Sequence, residues 1–165
     1  MKNIGLGTKL FLIFFVFVAL LIWASSSSEK SKEKRQLSMT SREAALLCTT
    51  DMATEFHIHP ELKIIINGQE VQLPNNIGIK PGCMNSLHTH DSTGVLHVES
   101  PVKKDFVIGD FFAVWQKDFS KEKILDYSVS ENSEILISVN GELVDTYENT
   151  LLEDKDKIVI EYKSK

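Results

Sequence analysis

The five histidines of this chain all fall between residues 57 and 97, and four of them form two His-x-His pairs. His57 and His59 stand in FHIHP, His88 and His90 stand in LHTHD, and His97 follows in GVLHVES. On a strand, residues i and i+2 face the same side about 6.5–7 Å apart, so both imidazoles of a pair can converge on one ion. If the two strands are neighbours, four imidazoles face each other, and zinc or copper accepts such a ligand set. This pattern predicts a transition-metal site.

Three further residues can supplement the four histidines. The strand of His97 is expected to pair with that of His88, which makes His97 a fifth or replacement ligand. Asp91 can orient a histidine through its second ring nitrogen, or ligate from a turn. Cys83 lies five residues before His88 and can act as a soft ligand. In an exported domain, however, Cys48 and Cys83 can equally form a disulfide, or both can stay free thiols.

Two other functions compete with a metal-binding role. The histidines can form a hydrogen-bonded core, or a pH-responsive surface, in a metal-free protein-interaction module. With three histidines and an open coordination position, they can instead form a small metallohydrolase or copper oxidoreductase. The chain has no Ser/His/Asp motif, phosphate loop or Cys-x-x-Cys, so a binding role is favoured over catalysis and no catalytic residues are proposed.

The N-terminus carries an unbroken apolar run, Leu10–Ala24, with Lys2 and Lys9 before it. Fifteen residues span only about 22 Å as a helix, which suits a signal peptide. If the stretch is counted from Ile4 to Ala24, a helix of this length is long enough to be a membrane anchor. We therefore expect residues 1–24 to be a signal-anchor helix, or alternatively a cleaved signal peptide. Both place the remaining chain outside the cytoplasm, either as a single-pass membrane protein with a possible membrane-protein partner or as a secreted protein.

The polar segment 25–38 is almost devoid of apolar residues and is expected to be a flexible linker. Residues 39–165 then form one extracytoplasmic globular domain, long enough for a hydrophobic core. Residues 25–165 hold 16 basic and 23 acidic side chains, a net charge of −7. This charge disfavours nucleic acid as a partner and suits soluble cations. The oligomeric state is left open.

The remaining pattern predicts a β-rich α+β fold built of antiparallel hairpins with one or two short helices. Thr40 and Glu43 have the spacing of a helix capping box. Asn67-Gly68 and Asn140-Gly141 each separate alternating apolar stretches, as in two-residue hairpins. The aromatic residues of DFFAVW are expected in the core.

Two resemblances add to this interpretation. The segments FHIHPELKIIINGQEV, LHTHDSTGVLHVESP and DFVIGDFFAVWQKDF resemble an uncharacterised family of secreted or membrane-anchored archaeal and bacterial proteins. The likeness implies an exported domain built around the histidine motifs and supplies no activity. The C-terminal VNGELV…LLEDKDKIVIEY resembles the last strands of ubiquitin-like β-grasp sulfur carriers, which implies a β-grasp-like C-terminal part. The C-terminal Gly-Gly of those carriers is missing, so their activity is not implied.

Overall fold

The computed structural model describes the backbone of residues 6–50 and 55–164, and the side chains of that part from Phe17 onward. The chain divides into two compact units, residues 1–38 and 39–165. The first unit contains a helix, α1 (Leu6–Ser38). The second contains α2 (Ser41–Leu46), α3 (Ile108–Trp115) and a short 3-10 helix, Tyr147–Asn149.

Helix α1 differs from the expected flexible linker at 25–38, because the helix continues to Ser38 without a break. Glu, Lys, Arg and Gln dominate residues 29–36, and these residues have high helix propensity even where no core is available to them. Residues 1–5, and the side chains of residues 10–16 in the apolar run, lie outside the described part. Within the described residues, no helix combines the length and the apolar character needed to cross a membrane.

The described part of the second unit contains thirteen strands, most of them short. In chain order they are β1 (Cys48–Thr49), β2 (Phe56–Ile58), β3 (Glu61–Ile66), β4 (Gln69–Val71), β5 (Ile79–Lys80), β6 (Cys83–Asn85), β7 (Leu87–His88), β8 (His97–Ser100), β9 (Lys123–Ile124), β10 (Tyr127–Ser128), β11 (Ser133–Val139), β12 (Glu142–Val144) and β13 (Lys157–Ser164). All but one of the strand pairings are antiparallel. The predicted β-rich α+β class is confirmed.

A five-stranded sheet of order β12-β11-β13-β3-β4 forms the larger half of the domain. Its last strand in sequence, β13, lies at the centre, parallel to β3 and antiparallel to β11. Both predicted hairpin turns are present. Asn67 and Gly68 have φ of 50° and 80°, and Asn140 and Gly141 have φ of 54° and 87°, as a type I′ turn requires. Two hairpins flank the central final strand, but one of them, β3-β4, lies outside the C-terminal part for which a β-grasp-like arrangement was predicted.

One hydrophobic core contains residues of this sheet together with residues of α2 and α3. Alternate positions of the long strands point inward and meet the aromatic side chains of α3; the buried members include Ile64, Ile66, Ile135, Ile137, Ile158, Ile160, Phe111 and Phe112. The predicted capping box is confirmed, since Thr40 accepts from the backbone of Glu43 and Glu43 accepts from the backbone of Thr40. Helix α2 is joined to α3 by an ion pair between Arg42 and the buried Asp110, with an N–O distance of 2.6 Å.

A smaller sheet of order β2-β8-β7 carries the histidines. Beside it lies a third sheet, of order β1-β6-β5, whose strand β6 leads into β7. Cys48 of β1 and Cys83 of β6 form a disulfide, with Cα atoms 5.4 Å apart. These two small sheets position the site described next.

Candidate metal centre

The histidines meet around the central strand of the small sheet. Strand β8 lies between β2 and β7, with His97 opposite His88 on one side and Glu99 opposite His57 on the other. The two His-x-His segments are therefore not on neighbouring strands, and a single four-histidine set is not what forms. The prediction missed that His97, treated as a supplement, occupies the centre.

Two groups of three histidines result, and they share His97. The inner triad consists of His88, His90 and His97; the outer triad consists of His57, His59 and His97. Within each triad, one potential ligand atom per residue lies within 4.8 Å of the other two. Nitrogens around tetrahedral zinc are about 3.4 Å apart, given a Zn–N distance of about 2.0–2.1 Å. Small ring rotations can close this difference, so each triad can hold a metal ion.

His88 is the most deeply buried member of the cluster, with none of its surface exposed. Its Nδ1 lies 3.1 Å from the backbone carbonyl oxygen of Asn85. A carbonyl can only accept, so Nδ1 carries the ring proton and Nε2 keeps its lone pair. Nε2 is buried and has no hydrogen-bond partner. Metal-binding histidines commonly hold their second nitrogen in this way, with the free lone pair directed at the ion.

Burial also keeps this ring neutral. It lowers the pKa of His88 from 6.5 to about 4, because the charged form loses its hydration inside the protein. The pKa of His97 is lowered as well, first by burial and then by the neighbouring His90 and His59 rings. Both imidazoles are therefore neutral near neutral pH, each with one N–H and one nitrogen lone pair. A metal ion need not displace a proton from either ring to use one lone pair of each.

The backbone before His88 is held by neighbours that leave little freedom. The side-chain amide of buried Asn85 donates to the carbonyl of Ala45, at 3.0 Å, which links β6 to α2. Gly78 lies against the same segment with φ of +76°, and a Cβ there would be 2.5 Å from the carbonyl oxygen of Leu87. Only glycine fits this contact, and it lets the loop before β5 pack directly on the Leu87 backbone and the Cβ of His88.

Thr89, between the two inner histidines, holds the backbone of the site and is not among the predicted site residues. It is fully buried. Its backbone N–H donates to the carbonyl of Ile77 at 3.0 Å, and its Oγ1 accepts from the N–H of Ile77 at 3.1 Å. Oγ1 also donates to the carbonyl of Pro74. These bonds fix the chain just after β7, where His88 is buried and His90 is exposed. The available signal was a small hydroxyl residue between two histidines, in LHTHD.

The outer triad is more accessible. The His57 side chain is 45 % exposed, and its Nε2 lies 3.0 Å from Oε1 of Glu99. The His59 backbone is held by a distant loop: its N–H donates to the Asp154 carboxylate at 2.9 Å, and its carbonyl accepts from the N–H of Lys155. The exposed imidazole of His57 on β2, the partly exposed His59 just after it and the partly buried carboxylate of Glu99 thus lie on the outer side of His97.

The structure places the other predicted supplements outside both triads. Oδ1 of Asp91 accepts from the backbone N–H and hydroxyl of Thr93, and these two bonds lower the pKa of the carboxyl group. Asp91 therefore stabilises a turn next to His90. The sulfur of Cys83 is bonded to that of Cys48, so the predicted thiolate ligand is not available in this structure. Among the described residues, no cysteine is free.

Compared with protein-family models, curated proteins and solved structures, the chain matches none of them. The resemblance of its motifs to a secreted or anchored family therefore stays a prediction.

Proposed function

We propose that this protein is a membrane-tethered, extracytoplasmic domain that binds zinc or copper through its histidine cluster. The observation that carries the proposal is the buried Nε2 of His88. It has a lone pair, no hydrogen-bond partner, and two further imidazoles within reach of the same point. A buried polar atom without a partner costs roughly 1–3 kcal/mol, and a bound ion would remove that cost.

The donor set supports the choice of metal. Both triads consist of imidazole nitrogens, which suit zinc and copper, whereas calcium and magnesium prefer oxygen ligands. The alternative of a metal-free, hydrogen-bonded histidine core is less well supported. In such a core the buried nitrogens would be paired, yet Nε2 of His88 and Nδ1 of His97 have no hydrogen-bond partner.

The proposed location has two supports. Disulfides persist mainly in oxidising compartments outside the cytoplasm, and Cys48 is bonded to Cys83. The apolar run Leu10–Ala24, with lysines before it, is typical of an export signal or an anchor.

The test is elemental analysis of the full chain, exported, purified in mild detergent and carrying a histidine-free affinity tag. We expect zinc or copper at one or more ions per chain, and a large loss in His88→Ala/His90→Ala. His88→Gln serves as a second variant, because glutamine can still donate to Asn85 but offers no imidazole. Thermal unfolding in chelator shows whether each variant is folded. If the folded parent carries neither metal, and adding either leaves Tm unchanged, the proposal fails.

A further inference from the structure

The arrangement of the two triads raises the question of how many ions the cluster holds. They approach His97 from opposite sides, because β7 and β2 lie on opposite edges of β8. An imidazole has two ring nitrogens that point in different directions. A ring shared by two triads can therefore serve both of them, with one nitrogen for each.

The unpaired nitrogens are distributed in the same way. In the described part of the chain, two buried side-chain nitrogen or oxygen atoms have no hydrogen-bond partner: Nε2 of His88 and Nδ1 of His97. The first belongs to the inner triad. The second lies 3.7 Å from Oε1 of Glu99, the same oxygen that is 3.0 Å from Nε2 of His57. Nδ1 of His97 is thus beside the outer triad, and one ion would leave one of these two atoms unpaired.

Three carboxylates lie near the histidine cluster, and their negative charge can balance the positive charge of two divalent cations. Glu99 contacts His57 in the outer triad. Asp91 is electrostatically coupled to His90 and His97, and Asp154 holds the backbone of His59. Negative charge is therefore present on both sides of the shared ring.

We propose that the cluster binds two transition-metal ions at the same time and that His97 bridges them as an imidazolate. This inference rests on the metal-binding function proposed above. One ion binds to the inner triad. The other binds to the outer triad, where the Glu99 carboxylate lies beside the ligands. The ring proton of His97 passes to solvent when the second ion binds, and each ring nitrogen then donates one lone pair to one ion.

Copper(II) titration of the full chain in detergent tests the proposal, with excess glycine in the buffer to suppress weak surface binding. Bound copper per chain and integrated electron paramagnetic resonance (EPR) intensity are both measured. We expect two copper ions per chain and an intensity well below that of two isolated ions, because an imidazolate bridge couples the unpaired spins. In His57→Ala/His59→Ala, we expect one copper ion with full intensity.

A matched glutamate pair tests the role of the carboxylate. Glu99→Gln should weaken the second copper ion about 10–100-fold, as is typical when a group supporting a metal ligand is lost. Glu142→Gln, on an exposed position of β12, should leave both ions unchanged.

The outcomes separate this inference from the proposed function. One copper ion in the parent overturns the two-ion site and leaves metal binding intact. Two ions with full EPR intensity overturn the bridge. Absence of bound copper and zinc in the folded parent overturns both proposals.

Discussion

The burial of a neutral His88 makes the stability of the metal-free domain depend on pH in a predictable way. Its pKa is about 4 in the folded protein, against 6.5 as the ordinary value. Between these two values the unfolded chain binds a proton that the folded chain does not. The free energy of unfolding should therefore be constant above pH 6.5 and fall as the pH is lowered toward 4.

The size of this effect follows from the same two values. At 1.36 kcal/mol per pH unit, the full interval corresponds to about 3 kcal/mol, and the part between pH 6.5 and 5 to about 2 kcal/mol. The lowered pKa of His97 acts with the same sign. The lowered pKa values of Asp91 and Asp154 contribute mainly below about pH 4, because their ordinary value is 3.8. Between pH 6.5 and 5, the pH dependence of the free energy of unfolding therefore comes from the histidines and not from these carboxylates.

The assay is urea unfolding of residues 39–165 at several pH values from 7.5 to 5, in the presence of chelator. His88→Gln is the comparison, and only the slope against pH is compared, so a general loss of stability does not matter. We expect a clearly smaller slope in the variant. A parent whose stability does not change over this range, or a variant with the parent's slope, would refute the conclusion that His88 is held neutral by burial.

Three further perturbations test how the site is positioned. Gly78→Ala should destabilise the domain by about 3 kcal/mol in urea unfolding and weaken metal binding, because the Cβ of the new alanine would collide with the Leu87 carbonyl just before His88. Gly82→Ala is the control. Gly82 has a φ of +85° but open space around it, so this change should cost only about 1 kcal/mol and leave metal binding unchanged. Thr89→Val should cost about 1–3 kcal/mol in the same assay by removing the acceptor for the N–H of Ile77, and equal stability would contradict the proposed anchoring. Reducing the disulfide, which spans 35 residues, should lower Tm by on the order of 10 °C. It should also weaken zinc binding, measured by competition with a chelator. Unchanged zinc affinity would show that the inner triad does not depend on the disulfide.

Local signals in the sequence predicted the parts of the fold that depend on few residues. The Asn67-Gly68 turn and the capping box at Thr40 need only residues within four positions of each other, and both are present as predicted. The strand order of the small sheet depends instead on pairing between distant segments. His57 lies opposite Glu99, more than forty residues away, and alternation in either strand does not encode that choice.

The histidine sites show the same limit. Alternation places His88 and His90 on one face, but β7 ends at His88, so the two rings differ completely in burial. Burial of His88 depends on the loop containing Gly78, which packs on the strand from outside the motif. The residue types and their clustering were therefore predictable, whereas the sharing of His97 required the tertiary structure.

The contact between His59 and the loop before β13 sets an order of events during biosynthesis. The carboxylate that binds the His59 backbone is 95 residues further along the chain. At roughly 5–20 residues per second, these residues follow His59 out of the ribosome by about 5–20 seconds. During that interval β3, directly after His59, also lacks its central partner β13 and can pair only with β4. The backbone contacts of the outer triad are therefore completed only after the disulfide-bonded segments have emerged, and we expect the metal binding proposed there to follow folding.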